Sequence, residues 1–127
     1  MKIDKAIELV KDKLPEKRFK HSLRVAETAV KLAEIYDGDK DKANLAGVLH
    51  DYCKYDDLST MYQIVRQHDL DSELLSYGGE ILHGPVCAAI MQSEFGIEDE
   101  EVLLAIKNHT TGRKEMTKTE KLVFIAD

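Results

Sequence analysis

Between residues 16 and 37 the side chains His21, Val25, Ala29, Leu32 and Tyr36 follow one another in steps of three and four. That is the period of an α-helix; a half-buried strand would alternate every second residue. The same period recurs along the chain. Ile3, Ile7, Val10 and Leu14 predict a first helix near 3–14, and Pro15 suits the first turn of the second, which Gly38 ends. A third helix is expected from about Asp41 to Cys53, with Ala43, Ala46 or Gly47, and His50 on one face. A fourth covers about 58–68 along Met61, Ile64, Val65 and His68.

Gly78-Gly79 breaks the chain, and Pro85 after Gly84 predicts another helix start, with His83 at its rim and Cys87, Ile90 and Met91 facing inward. Gly96 stops it. Asp99 is placed to cap the next helix, where Val102, Ala105 or Ile106, and His109 align. A last helix begins near Thr117 and carries Val123, Phe124 and Asp127. VLLAI has the composition of a strand, but its acidic flank and the spacing to His109 favour helix. With no alternating β-branched run and no Asn-Gly turn, the fold class is all-α.

No repeat or linker divides the 127 residues, so a single domain is expected over 1–127. The net charge of −6 argues against nonspecific binding to nucleic acid or an anionic membrane. The charged N-terminus has no signal core and no apolar run reaches transmembrane length, which predicts a cytoplasmic protein. Cys53 and Cys87 read as buried free thiols. The chain stops at Asp127 inside an amphipathic helix, so a natural chain is expected to continue.

A histidine that extends an apolar stripe is most often a satisfied core or boundary residue. A His-Asp dipeptide is also weak by itself: His68-Asp69 is a second one, at a polar helix end where a solvated surface is the natural reading. The set carries more weight. His21, His50, Asp51, His83, His109 and Asp127 lie at or beside the inner faces of several helices, and imidazole with carboxylate suits iron, manganese, zinc or nickel. Adjacent helical residues point about 100° apart, so His50 and Asp51 fit one small ion poorly. They suit a two-metal centre in which Asp51 offers one oxygen to each ion.

The segments KRFKHSLRVAETAVKLAE, LAGVLHDYCKY, LHGPVCA, IKNHTTG and KLVFIAD, in that order, resemble the HD-domain phosphohydrolases, and within them the YqeK branch of symmetrical diadenosine tetraphosphate hydrolases. The resemblance spans nearly the whole chain and implies an HD-domain helical bundle with a buried binuclear metal site. By position it implies His21, His50 and Asp127 on one metal, His83 and His109 on the other, and Asp51 bridging. Iron is the expected metal, with manganese, nickel, zinc or magnesium as alternatives. His68 has no counterpart in the family's site.

Two adjacent ions would acidify a bridging water, whose hydroxide attacks phosphorus in a small-molecule nucleotide and yields ADP. Asp51 and Lys54 are the catalytic candidates. Arg18, His21, Lys54, His109 and Thr110 are the candidates for substrate contact, with Arg24, Arg113 and Lys114 behind them. Free N–H groups of the helix expected at Pro85 would also favour an anion beside His83. Cys53 reads as a packing residue, and Tyr52, Tyr55 and Phe19 as core more than as stacking rings. A homodimer is compatible with the reading. The rivals are another nucleotide phosphohydrolase (a nucleotidase, a (p)ppGpp pyrophosphohydrolase or a cyclic-dinucleotide phosphodiesterase) and a nucleotide-binding module without turnover.

Overall fold

The computed structural model describes all 127 residues. It contains seven α-helices and a short 3-10 turn at Ser72–Ser76, with no strand. In chain order the helices are α1 Ile3–Lys13, α2 Glu16–Ile35, α3 Lys40–Leu49, α4 Leu58–Gln67, α5 Gly79–Ser93, α6 Glu100–Lys107 and α7 Lys118–Ala126. None is long and apolar enough to cross a membrane.

Local chemistry explains most of the ends. Asp39, Asp57 and Asp99 cap α3, α4 and α6 through their side chains, and Thr117 with Glu120 forms a reciprocal capping box on α7. After α2 it is Asp37, not Gly38, that takes the left-handed conformation, at φ 56°. Gly38 serves a different need: a Cβ there would stand 2.7 Å from Leu122 Cδ1, so its small size admits α7.

Two expected boundaries move, and both moves affect histidines. α3 ends at Leu49 rather than Cys53, and the chain continues in tight turns, Tyr52 N–H bonding to the Leu49 carbonyl and Lys54 N–H to that of Asp51. The reason is visible at His50, whose Nδ1 lies 2.6 Å from the carbonyl oxygen of Gly47. That is the acceptor a continuing helix would offer to the N–H of Asp51, so the side chain competes with the helix. α5 starts at Gly79 rather than near Pro85, which lies inside it. His83 is therefore an interior helical residue, and the helix's free N–H groups lie a turn earlier than an anion site beside His83 would need.

α2 packs on α3 and α7, α5 on α4 and α6, and α6 on α3 and α7. One continuous apolar core of 27 residues joins them, with buried Cys53 and Cys87, both free thiols, inside it. The α2–α3 contact is close because the buried residues of the two helices are mostly small, Ala26, Ala29 and Ala33 on α2 and Ala43, Ala46 and Gly47 on α3. A Cβ on Gly47 would lie 2.6 Å from Ala26 Cα, against backbone that cannot rotate away. Gly47→Ala is therefore expected to cost ~1–3 kcal/mol and lower the melting midpoint by roughly 5–15 °C. A thermal melt matching the parent would contradict this packing.

Candidate metal centre

The six residues singled out from the sequence converge on one point. Asp51 sits at its middle, 1% exposed, and its two oxygens face different neighbours. Oδ1 lies 3.2 Å from His83 Nε2 and 3.6 Å from His109 Nε2. Oδ2 lies 3.3 Å from His50 Nε2 and takes the guanidinium of Arg18, with Nη2 at 2.6 Å and Nε at 2.8 Å. On the far side of His50, Asp127 Oδ1 stands 3.4 Å from His50 Nε2 and 3.1 Å from His21 Nε2. His50 and Asp51, expected to diverge as neighbours on a helix, instead bring their ligand atoms together, because α3 ends just before them.

Three of the histidines are held the same way. Nδ1 of His50, His83 and His109 lies 2.6, 3.0 and 2.7 Å from the carbonyl oxygens of Gly47, Gly79 and Ile106 respectively. A carbonyl only accepts, so Nδ1–H donates, and in a neutral ring Nε2 is left as a lone pair. Those lone pairs point at one another and at Asp51: the Nε2 atoms of His83 and His109 are 2.9 Å apart, and His50 Nε2 is buried without a hydrogen bond. Electron pairs crowded around a carboxylate, each aimed by a backbone carbonyl behind it, suit a cation. Two overlapping triads, His21-His50-Asp127 and His50-Asp51-His109, each place their ligand atoms within 4.8 Å of one another, as a metal ion requires.

The electrostatics follow. Burial works to raise the Asp51 carboxyl, but the surrounding imidazoles of His109, His50 and His83 outweigh it and hold the group well below the carboxylate range. Asp127 is likewise lowered, burial being overcome by His50 and then His21. Burial favours neutral His50, yet Asp127 and Asp51 raise it to about 9, so at neutral pH its Nε2 holds a proton that a cation would have to displace to reach the lone pair. His109 is lowered, because burial exceeds the opposing pull of Asp51.

A polar cleft of about 110 Å³ opens onto the cluster, lined by Arg18, Asp51, Lys54, Glu80, His83, His109, Thr110 and Asp127. Lys54 and Thr110 line this cleft, and Arg18, also in its wall, is paired with Asp51. Arg113 is committed elsewhere, bidentate on Glu120, and Lys114 is exposed in the loop before α7. His68 lies apart, in the wall of a separate cavity between the end of α4 and α5–α6. Tyr52 packs edge-on against Phe95 and Phe19 packs on the core, but Tyr55, read as core, is 58% exposed.

Sequence reasoning passed over two acids. Glu80 precedes His83 by three residues, one helical turn, and that spacing in GEILH was the available signal for its place in the cleft. Glu120 is 1% exposed and accepts from Asn108 Nδ2, from Arg113 and from the Thr117 N–H. It ties the loop carrying His109 and Thr110 to the start of the helix that leads to Asp127. Burial would raise its pKa, but Arg113, Thr117 and Asn108 lower it from 4.5 to about 2. A depressed carboxyl stabilises above its unfolded value and loses that contribution as pH falls towards the folded one. Arg113, its main partner, is 41% exposed, so solvent screening leaves a pH-dependent share of about 1–2 kcal/mol at neutral pH. In urea unfolding, the stability gap between parent and Glu120→Gln should therefore shrink to less than half between pH 7 and pH 3; a constant gap would contradict the assignment.

The HD domain family matches residues 18–127, and the chain belongs to that family. Divalent-metal binding accords with that membership and with the cluster described above. More particularly, it is 76% identical over 127 residues to a symmetrical bis(5'-nucleosyl)-tetraphosphatase from Staphylococcus aureus, covering 100% of this chain and 66% of that protein. A relative of the same description from Halalkalibacterium halodurans is 46% identical over 97% of this chain and 66% of its own length. The chain thus spans about two thirds of these curated relatives. A crystal structure from Clostridium acetobutylicum, described as a predicted HD superfamily hydrolase involved in NAD metabolism, superposes with a TM-score of 0.91. It is 39% identical and covers 99% of this chain and 67% of that one.

Proposed function

We propose that this chain is a metal-dependent hydrolase that splits diadenosine tetraphosphate at its centre to release two ADP, acting in the cytoplasm as a single HD domain over residues 1–127. The relatives from S. aureus and H. halodurans are named symmetrical bis(5'-nucleosyl)-tetraphosphatases, which supports this reading. The observation that carries the reading is Asp51, with one oxygen turned to His50 and the other to His83 and His109. That disposition suits a carboxylate shared by two cations. We assign His21, His50 and Asp127 to one ion, His83 and His109 to the other, and Asp51 to both. The mixed imidazole and carboxylate set suits iron, with manganese, nickel and zinc close behind and magnesium, which prefers oxygen, less apt.

When bound, such a pair supplies an acidified water and Lewis acidity towards phosphoryl oxygens. The chain's own residues do the rest. The histidines are locked in one tautomer by the carbonyls of Gly47, Gly79 and Ile106, so they need no rearrangement to act. Lys54 and Thr110 offer donors to phosphate at the cleft wall, and no apolar side chain lines the cleft to compete with a polyanion. Arg18 neutralises Asp51 and lies within the same cleft, where a phosphate can share its guanidinium.

The test is product analysis. Protein loaded with iron or manganese and given diadenosine tetraphosphate should yield ADP as the sole nucleotide on anion-exchange chromatography. ATP and AMP in equal amounts would overturn symmetrical cleavage. Absence of turnover with every one of these metals would overturn the enzymatic reading.

A further inference from the structure

Beside the metal cleft, and sharing Arg18 with it, lies a second cavity of about 400 Å³ walled by Pro15, Lys17, Arg18, His21, Arg24 and Tyr55. The start of α2 forms one side and the turn after α3 the other. Three features set it apart from ordinary surface. Its wall contains three cations and no carboxylate, in a chain whose net charge is −6. Lys17 and Arg24 have no carboxylate within ion-pair reach, whereas their neighbours Lys13, Arg18 and Lys20 pair with Asp56, Asp51 and Glu16. And Tyr55, 58% exposed, stands in the wall of this cationic hollow, adjacent in sequence to Lys54 of the metal cleft.

Size separates the two spaces by task. At about 110 Å³ the metal cleft holds a phosphoryl group but no nucleoside. The neighbouring 400 Å³ is within the range of small-ligand sites, roughly 300–1,000 Å³. An anion seated at the cluster and extending past Arg18 enters it directly. Unpaired cations suit phosphate oxygens, and an exposed aromatic face suits a purine.

We propose that this cavity receives one nucleoside diphosphate arm of the substrate, with Lys17 and Arg24 on its phosphates and the Tyr55 ring stacked on its base. The assignment rests on the hydrolase reading above and adds the residues that hold a substrate half. It also gives Tyr55 and Arg24 a task that packing does not, since both are exposed.

The test is calorimetric titration of the metal-loaded protein with ADP, which reads binding without turnover. Tyr55→Ala should weaken ADP binding about tenfold, and Tyr55→Phe, which keeps the ring, should bind within about twofold of the parent. Arg24→Gln should weaken ADP binding several-fold and flatten its dependence on salt. Circular dichroism checks that each variant keeps the parental helix content. Parental affinity in both Tyr55→Ala and Arg24→Gln, or no measurable ADP binding by the parent, would overturn the assignment. The two readings fail separately. Loss of ADP affinity in the variants without cleavage of diadenosine tetraphosphate by the parent keeps the cavity and removes the hydrolase. Cleavage to ADP with variants indifferent to ADP does the reverse.

Discussion

Asp51→Asn is expected to lower turnover of diadenosine tetraphosphate on the order of a thousandfold or more, with helix content unchanged. The substitution keeps size and shape but replaces one acceptor oxygen by an NH₂ donor and removes the charge. Whichever way the amide turns, one side of the site is spoiled. An NH₂ at the Oδ2 position would face the Arg18 guanidinium, donor against donor, where the carboxylate now accepts at 2.6 and 2.8 Å. An NH₂ at the Oδ1 position would donate to His83 or His109 and occupy the lone pairs aimed at the centre. Neither arrangement leaves a group that can serve two cations, so metal content should fall by at least one ion per chain. The fold should hold, because Arg18 is partly exposed and can turn to solvent once its partner is neutral. Steady-state kinetics, elemental analysis and circular dichroism on the same preparation check the three parts. Parental turnover would remove Asp51 from its shared role.

The second large effect comes from a residue with no polar group at all. A Cβ on Gly84 would lie 2.6 Å from the carbonyl oxygen of Lys107 and 3.2 Å from that of Ile106. Both are backbone atoms of α6, so nothing can rotate aside and α5 must retreat. The helix that retreats carries His83, and the Ile106 carbonyl is also the acceptor for His109 Nδ1. One methyl group thus parts the Nε2 atoms of His83 and His109, now 2.9 Å apart, and disturbs the hydrogen bond that orients one of them. Gly84→Ala should cost ~2–4 kcal/mol of stability and, through misplacement on the order of an ångström, about a hundredfold in turnover. Gly79→Ala is the control: a Cβ there meets nothing closer than the flexible end of Met61 at 3.8 Å, and both effects should be small. Helix propensity favours alanine over glycine at both positions, so equal loss in the two variants would contradict the α5–α6 contact as the source of the cost.

The helices were legible from period alone, since His21, Val25, Ala29 and Leu32 or Ile3, Ile7 and Val10 repeat as only a helix requires. The cluster was legible because its histidines extend those stripes inward, so the packing that buries the stripe also gathers the ligands. What escaped the sequence depends on contacts made across the fold. The end of α3 turns on a side chain reaching back to Gly47, which composition does not reveal. Gly84-Pro85 reads as a helix start, yet Gly84 is there for the approach of α6 and Pro85 is carried within a helix buried on most sides. Tyr55 was read as core because it is aromatic; the turns after α3 leave it facing out. Glu120 was passed over because its burial depends on Asn108 and Arg113 closing around it across the loop before α7.

The proposed centre would take two cations through Nε2 of His50, His83 and His109 and both oxygens of Asp51. Its most direct test is an anaerobic titration of metal-stripped protein with iron(II), read as ions bound per chain at saturation. Two ions per chain is the predicted result. Saturation at one, or no binding, would contradict it.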